Sequence, residues 1–184
     1  MPLNVVNFRS NIKGDGARPS LFRVRCVAPA WVNFPLDKFT FLANAAELPS
    51  SQIGEKIIPY MGQDVKFAGD RTYPDYTLTV INDEDFAIRN AFEAWNNGIS
   101  QFSRKDSVRT GGATADPTSY VGTIYVDQLS KGGGSSDVVK TYTLYNAWPA
   151  LISGIALAWA AKDDIEQFQV SFRYDWLNSG GVTT

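Results

Sequence analysis

Between Gln167 and Trp176 apolar and polar side chains alternate without a break. Phe168, Val170, Phe172, Tyr174 and Trp176 fall on one face, and Gln167, Gln169, Ser171, Arg173 and Asp175 on the other. A period of two predicts a half-buried antiparallel strand over 165–176, apolar inside and wet outside. The same alternation in Tyr76, Leu78 and Val80 against Thr77, Thr79 and Ile81 predicts a strand over 75–82. Residues 20–28, 38–46, 119–129, 138–147 and 154–160 read as further strands, rich in β-branched and aromatic side chains. Residues 53–69 predict two extended pieces around a turn at Met61-Gly62-Gln63, with Pro59 pointing to an edge strand or a projecting hairpin.

One segment changes period. Phe86, Ile88, Ala91, Phe92 and Trp95 recur at helical spacing and predict an amphipathic helix over about 84–97 that covers a sheet. Asp83 suits its N-cap, Glu84 and Asp85 complement the positive end of its dipole, and Gly98 suits its stop. Many short strands and one helix predict a mainly β fold. The expectation is two packed antiparallel sheets, a sandwich or barrel with one flanking α-helix and an extended hairpin. The chain reads as a single domain over 1–184, with a partly flexible N-terminal arm (1–19) and C-terminal tail (178–184).

Composition then removes chemistry. The sequence has no histidine, so the commonest general base and metal ligand near neutral pH is missing. Its single cysteine, Cys26, has no partner for a disulfide or a thiolate metal site and sits in an apolar strand, where it reads as a small buried hydrophobe. A net charge of -2 gives no basic excess for nucleic-acid binding. The apolar run from Ala147 to Ala161 is broken by Pro149, Ser153 and Gly154 and is shorter than the ~20 residues of a membrane span. The N-terminus lacks the basic-then-apolar pattern of a secretory signal. The expectation is a soluble subunit made in a reducing cytoplasm, with no membrane insertion.

The remaining clusters have plain readings. Gly132-Gly133-Gly134 is followed by strand-like residues rather than a helix, so it reads as a hairpin turn and not a phosphate loop. Asp163, Asp164 and Glu166 read as a solvated turn. Arg104, Lys105 and Arg109 lie on the long loop over 100–118. No constellation supplies a catalytic site, a cofactor site or a metal site. Asp70-Arg71 either fixes a sharp turn or bridges to a neighbour. The strand over 119–129 has apolar side chains on both faces, which suggests burial against another subunit.

Several motifs in combination resemble the tail tube proteins of contractile bacteriophages. They are Glu47-Leu48-Pro49, Glu55-Lys56-Ile57-Ile58-Pro59-Tyr60, Ala68-Gly69-Asp70-Arg71-Thr72-Tyr73, and Tyr76 through Asp83 followed by the helix with Phe92 and Trp95. Ala17 through Phe22, Trp148-Pro149, Leu157-Ala158-Trp159 and Ile165 through Val170 fit the same family. The resemblance implies a structural subunit of the inner tail tube and not an enzyme. Hexameric rings would stack into a conduit for genome ejection. Its partners would be copies of itself, a tail sheath protein, baseplate or initiator proteins and a tail terminator, with DNA passing transiently through the lumen. It would reside in the virion tail after assembly in the host bacterial cytoplasm. The segment from Gln52 to Phe67 would be the hairpin used between subunits, and Glu55, Lys56, Tyr60, Asp70, Arg71 and Trp148 are the candidate interface residues. Gln167, Gln169 and Ser171, or Thr77 and Thr79, are candidates for the lumen. The run Ala156 through Ala161 departs from the family in being more apolar. Two other readings stand beside this one: the tube of a phage-derived contractile injection or bacteriocin particle, and a monomeric β-sandwich binding module.

Overall fold

The computed structural model describes residues 4–12, 16–99, 117–132, 138–159 and 164–181. Among these residues nine strands and three α-helices follow in chain order: α1 (Val5–Asn11), β1 (Phe22–Val27), α2 (Leu36–Leu42), β2 (Ala43–Ala46), β3 (Gln52–Tyr60), β4 (Gln63–Thr72), β5 (Tyr76–Ile81), α3 (Ala87–Ile99), β6 (Gly122–Leu129), β7 (Val138–Ile152), β8 (Gln167–Arg173) and β9 (Trp176–Gly181). The mainly β, antiparallel architecture expected from the sequence is present. Seven strands pair in the order β1-β6-β7-β8-β5-β2, with β9 also beside β7, and among the described residues β3 and β4 pair only with each other.

Strand β7 makes two sheets out of one. Its first part pairs with β6 and β9, and its last residues, from Trp148, pair with β8. Between these parts Asn146 has φ 55. That left-handed conformation bends the strand so that it leaves one sheet and enters the other. The bend is held from outside. Asn146 Nδ2 donates to Asp175 Oδ2 at 2.8 Å, the Asp175 N–H donates to the Tyr145 carbonyl at 3.1 Å, and the Tyr145 and Trp176 rings stack at 3.9 Å.

The core lies between the two halves. Val24, Cys26, Ile124, Val126 and Leu144 come from one side, and Leu78, Val80, Phe168, Val170 and Phe172 from the other. Helix α3 adds Ile88, Ala91, Phe92 and Trp95. Phe92 meets Phe34, Phe39, Phe168 and Phe172 edge-on, with centroids 5.1–6.5 Å apart. Such edge-to-face pairs add about 0.5–1.5 kcal/mol each beyond area burial. Cys26 is 1% exposed, the small buried hydrophobe expected.

Several boundaries differ from the sequence reading. Residues 36–42 are a helix and not the start of a strand, because Phe39 turns inward against Phe34 and Phe92 while Phe41 faces solvent. Helix α3 begins three residues later than expected. Asp83 and Asp85 cap a preceding turn through the N–H groups of Glu84 and Ala87, and Phe86, at φ 52, lies outside the buried stripe. Gly98 is inside the helix rather than its stop, and a Cβ there would sit 2.2 Å from the Trp31 ring. The strand expected over 165–176 ends at Arg173, and Trp176 opens β9 beyond the corner. No strand forms over 153–158, whereas residues 178–181 of the expected mobile tail are paired in β9. The N-terminal arm carries the short helix α1.

Candidate functional site

The β3–β4 hairpin stands apart from the body. Every residue from 52 to 72 is exposed. Nine residues of β3 at ~3.3 Å each give an arm about 30 Å long. The turn is Met61-Gly62, within the Met61-Gly62-Gln63 expected from the sequence, and both residues have positive φ. Near the base the register slips between Ile53 and Glu55, where Gly54 and Gly69 approach closely: a Cβ on Gly69 would lie 3.1 Å from the Gly54 carbonyl oxygen.

Register sorts the hairpin into two faces. Lys56 pairs with Phe67, Ile58 with Val65 and Tyr60 with Gln63, so these six share one face. Ile58, Tyr60, Val65 and Phe67 make that face a continuous apolar strip, each of them 41–64% exposed. The opposite face carries Glu55, Ile57, Lys66 and Asp64, with Glu55 and Lys66 ion-paired at 3.2 Å. A two-stranded ribbon with an uncovered apolar face is marginal alone and calls for a partner surface.

Five of the six candidate interface residues lie on this arm: Glu55, Lys56, Tyr60, Asp70 and Arg71. Asp70-Arg71 is not a turn. Both residues are inside β4, and Arg71 Nη1 donates to Ser51 Oγ at 2.9 Å. Trp148 is elsewhere, half-buried at the point where β7 enters the second sheet, opposite Arg173 and edge-on to Tyr120 at 6.5 Å. Sequence reasoning missed Ile58, Val65 and Phe67. Their alternation along the two strands was the available signal.

A second surface is the wet side of β5 and β8. Thr77 sits opposite Ser171, with hydroxyl oxygens 2.9 Å apart, and Thr79 sits opposite Gln169. The two sets of lumen candidates are therefore neighbours on one face. Arg173, at its end, pairs with Asp75 at 3.4 Å, leaving the strip itself uncharged.

The other sheet carries charge instead. Asp127 on β6 is fully buried and accepts from Arg23 Nη2 at 2.9 Å, from Arg25 Nε at 3.2 Å and from Thr141 Oγ1 at 2.8 Å. Arg25 also lies over the Tyr125 ring, 4.9 Å from its centroid. Part of the second apolar face expected on β6 is thus covered inside the chain.

A groove of about 440 Å³ between α3 and β7 is lined by Arg89, Glu93, Asn96, Ala150, Leu151 and Ile152. Its polar groups are committed: Arg89 to Glu93 at 2.8 Å and to the Ser153 carbonyl at 3.2 Å, and Asn96 to the Pro149 carbonyl at 3.2 Å. Burial pushes the Cys26 thiol well above its ordinary pKa, so it is held as an inert thiol. Glu166 accepts from Asn82 Nδ2 at 2.9 Å, while Asp163, Gly133, Gly134 and the basic group Arg104, Lys105 and Arg109 lie outside the described residues. Among the described residues no group of three acidic or cysteine side chains converges as a metal site would require, and no helix is long and apolar enough to cross a membrane.

The sequence profile of the phage tail tube protein family matches residues 17–178. The chain belongs to this family. It is 29% identical over 163 residues to the tail tube protein gp19 of Enterobacteria phage T4, covering 89% of this chain and 91% of that protein. It is 29% identical over 133 residues to the tail tube protein of Serratia phage KSP90, covering 72% and 70%. Among solved structures, a chain of the anti-feeding prophage baseplate superposes with a TM-score of 0.65 at 14% identity, covering 91% of this tail tube family member and 97% of that chain. A chain of the sheath–tube complex of an extracellular contractile injection system gives 0.53 at 13% identity, covering 98% and 100%. At such identities these structures speak for the fold alone.

Proposed function

We propose that this chain is the structural subunit of the inner tail tube of a contractile phage tail, assembled as stacked hexameric rings and resident in the virion. One observation carries the reading: an arm about 30 Å long, exposed on every side, presents one apolar face and pairs with no other strand among the described residues. In a stack each arm would lie on a neighbouring copy and bury Ile58, Tyr60, Val65 and Phe67. Glu55, Lys56, Asp70 and Arg71 would form the polar rim of that contact, and Trp148 would belong to a second contact near Arg173. A heterologous contact that closes within a ring and repeats along an axis makes a tube. Tail sheath, baseplate or initiator and terminator proteins would meet the tube's outer surface and its two ends. The subunit acts by assembly rather than catalysis.

The uncharged strip of Thr77, Thr79, Gln169 and Ser171 suits the lumen. Basic side chains there would hold phosphates and slow the passage of DNA. The phage reading is favoured over a phage-derived injection particle because the 29% identity is to phage tail tubes, whereas the injection-system likeness is at 14% and 13%.

Electron microscopy of the purified protein, with and without baseplate components, tests the reading. Rings and tubes are expected, and a protein that stays monomeric with both present overturns it in favour of a binding module. The lumen assignment has its own test. With Cys26 buried, a cysteine at Gln169 is the reactive thiol. It should react with small and bulky maleimides in the free subunit but only with small ones in tubes. Equal labelling by both in tubes removes the strip from the lumen.

A further inference from the structure

Tyr76 opens β5 at the root of the hairpin. Its residue is 3% exposed, yet its hydroxyl is the one buried side-chain polar atom among the described residues without a hydrogen-bond partner in the protein. A phenol oxygen left so is destabilising, and buried tyrosines normally find a partner. Beside it lies a small cavity of about 30 Å³, whose polar lining comes from Glu47, Ser50, Asp75, Thr77 and Tyr174 together with Tyr76.

The size of the cavity selects the ligand. One water needs about 10–15 Å³ of such space and two to four polar partners. About 30 Å³ therefore has room for one or two waters. The partners are at hand. The Tyr174 hydroxyl reaches the Ser50 carbonyl only at 3.4 Å, too long for a good O–H···O bond. Glu47 and Tyr174 are the ionisable groups whose charge acts on the Tyr76 phenol. Asp75 is turned to Arg173 at 3.4 Å.

We propose that this cavity holds one structural water, which accepts from the Tyr76 hydroxyl, donates toward the Ser50 carbonyl and the Glu47 carboxylate, and is shared with the Tyr174 hydroxyl. Its placement gives it a role. Glu47 and Ser50 lie on the segment entering β3, Tyr76 follows the segment leaving β4, and Tyr174 belongs to the corner after β8. The water pins both roots of the hairpin to the body and fixes the angle of the arm. The consequence for assembly rests on reading the arm as the contact between copies; the water site does not.

The test uses the soluble subunit, so it is independent of tube formation. Tyr76→Phe, Tyr174→Phe and the double variant are compared by amide hydrogen exchange at residues 51–54 and 70–73. Each single change is expected to speed exchange there about five-fold, the loss of roughly one hydrogen bond. The double variant should be slower than the product of the singles, because one water couples them. Unchanged exchange in Tyr76→Phe, or singles that multiply, overturns the shared water. A map of the wild-type protein at a resolution that shows waters should place a peak within hydrogen-bond distance of Tyr76 Oη, and an empty cavity there overturns it as well.

Discussion

The Trp95 ring lies against Gly122: a Cβ on that glycine would come within 2.8 Å of the indole and 2.4 Å of the Val27 carbonyl oxygen. The same indole donates from Nε1 to the Tyr120 carbonyl at 2.7 Å, so the ring is fixed by packing and by a hydrogen bond. Gly122 is thus where α3, β1 and β6 are locked together. Gly122→Ala is expected to destabilise the subunit by about 1–3 kcal/mol or more, since a backbone oxygen cannot swing aside as a side chain can. For a domain of this size that is a fall in melting temperature of roughly 3–10 °C. A change below ~1 °C would show that the helix can shift to make room.

Asp127 gathers Arg23, Arg25 and Thr141 across three strands. Its carboxylate is fully buried, whereas the arginines are 24% and 40% exposed. Asp127→Asn leaves two guanidinium groups converging on a neutral amide. Breaking a fully buried pair costs ~3–5 kcal/mol; with part of the charge in water, roughly 2–3 kcal/mol is expected here, read by chemical denaturation. Replacing Arg23 alone should cost less, because Arg25 still neutralises the carboxylate.

Lys38 of α2 reaches the two carboxylates ahead of α3, Asp83 and Asp85. Hydrogen bonds from Lys38, then from the backbone N–H groups of Glu84 and Ala87, hold both acids below their ordinary value of 3.8. The same bonds raise Lys38 above its ordinary 10.5. The carboxylate contribution is complete above the unfolded value and is lost as pH falls through the lowered folded one. The lysine contribution is complete below the unfolded value and is lost as pH rises through the raised folded one. The melting difference between wild type and Lys38→Met should therefore be level between about pH 5 and 9 and shrink at both extremes. The groups are exposed, so it should also be small and fade in high salt. A difference that grows toward low pH would contradict this linkage.

Legibility in the sequence followed the strength of the periodic signal. Phe168, Val170 and Phe172 alternate strongly and are buried as expected, and Ile88, Ala91, Phe92 and Trp95 cover the sheet from one helix stripe. Alternation misled where the chain turned while the pattern ran on. Trp176 keeps the phase of β8 but lies past the Asp175 corner, and Lys38 to Leu42 reads as a strand although the helix after Pro35 puts Phe39 inside and Phe41 outside. The Asp127 cluster was hidden for another reason. It needs the register of β1 against β6 and of β6 against β7, which is a tertiary fact. The hairpin itself was readable from Pro59 and the Met61-Gly62 turn. Its apolar face required knowing that Ile58 stands opposite Val65 and Lys56 opposite Phe67.

That face yields the sharpest separation of folding from assembly. Phe67 is 53% exposed and Val65 41%, on a ribbon that pairs with no other strand among the described residues. Phe67→Asp should leave the free subunit within about 0.5 kcal/mol of wild type, as for surface sites generally, and abolish tubes in electron micrographs, because a carboxylate cannot be buried unpaired in a subunit contact. Glu55→Gln, on the opposite face and at the rim of the contact, loses an exposed ion pair with Lys66 and should weaken assembly far less than Phe67→Asp. Arg71→Ala stands between the two: it should weaken assembly more than it lowers the melting temperature. If melting drops while tubes still form, Arg71 serves its own chain through Ser51. Normal tubes from Phe67→Asp would mean that the apolar strip faces solvent in the assembly, and the contact between copies would have to be sought on the other face of the ribbon.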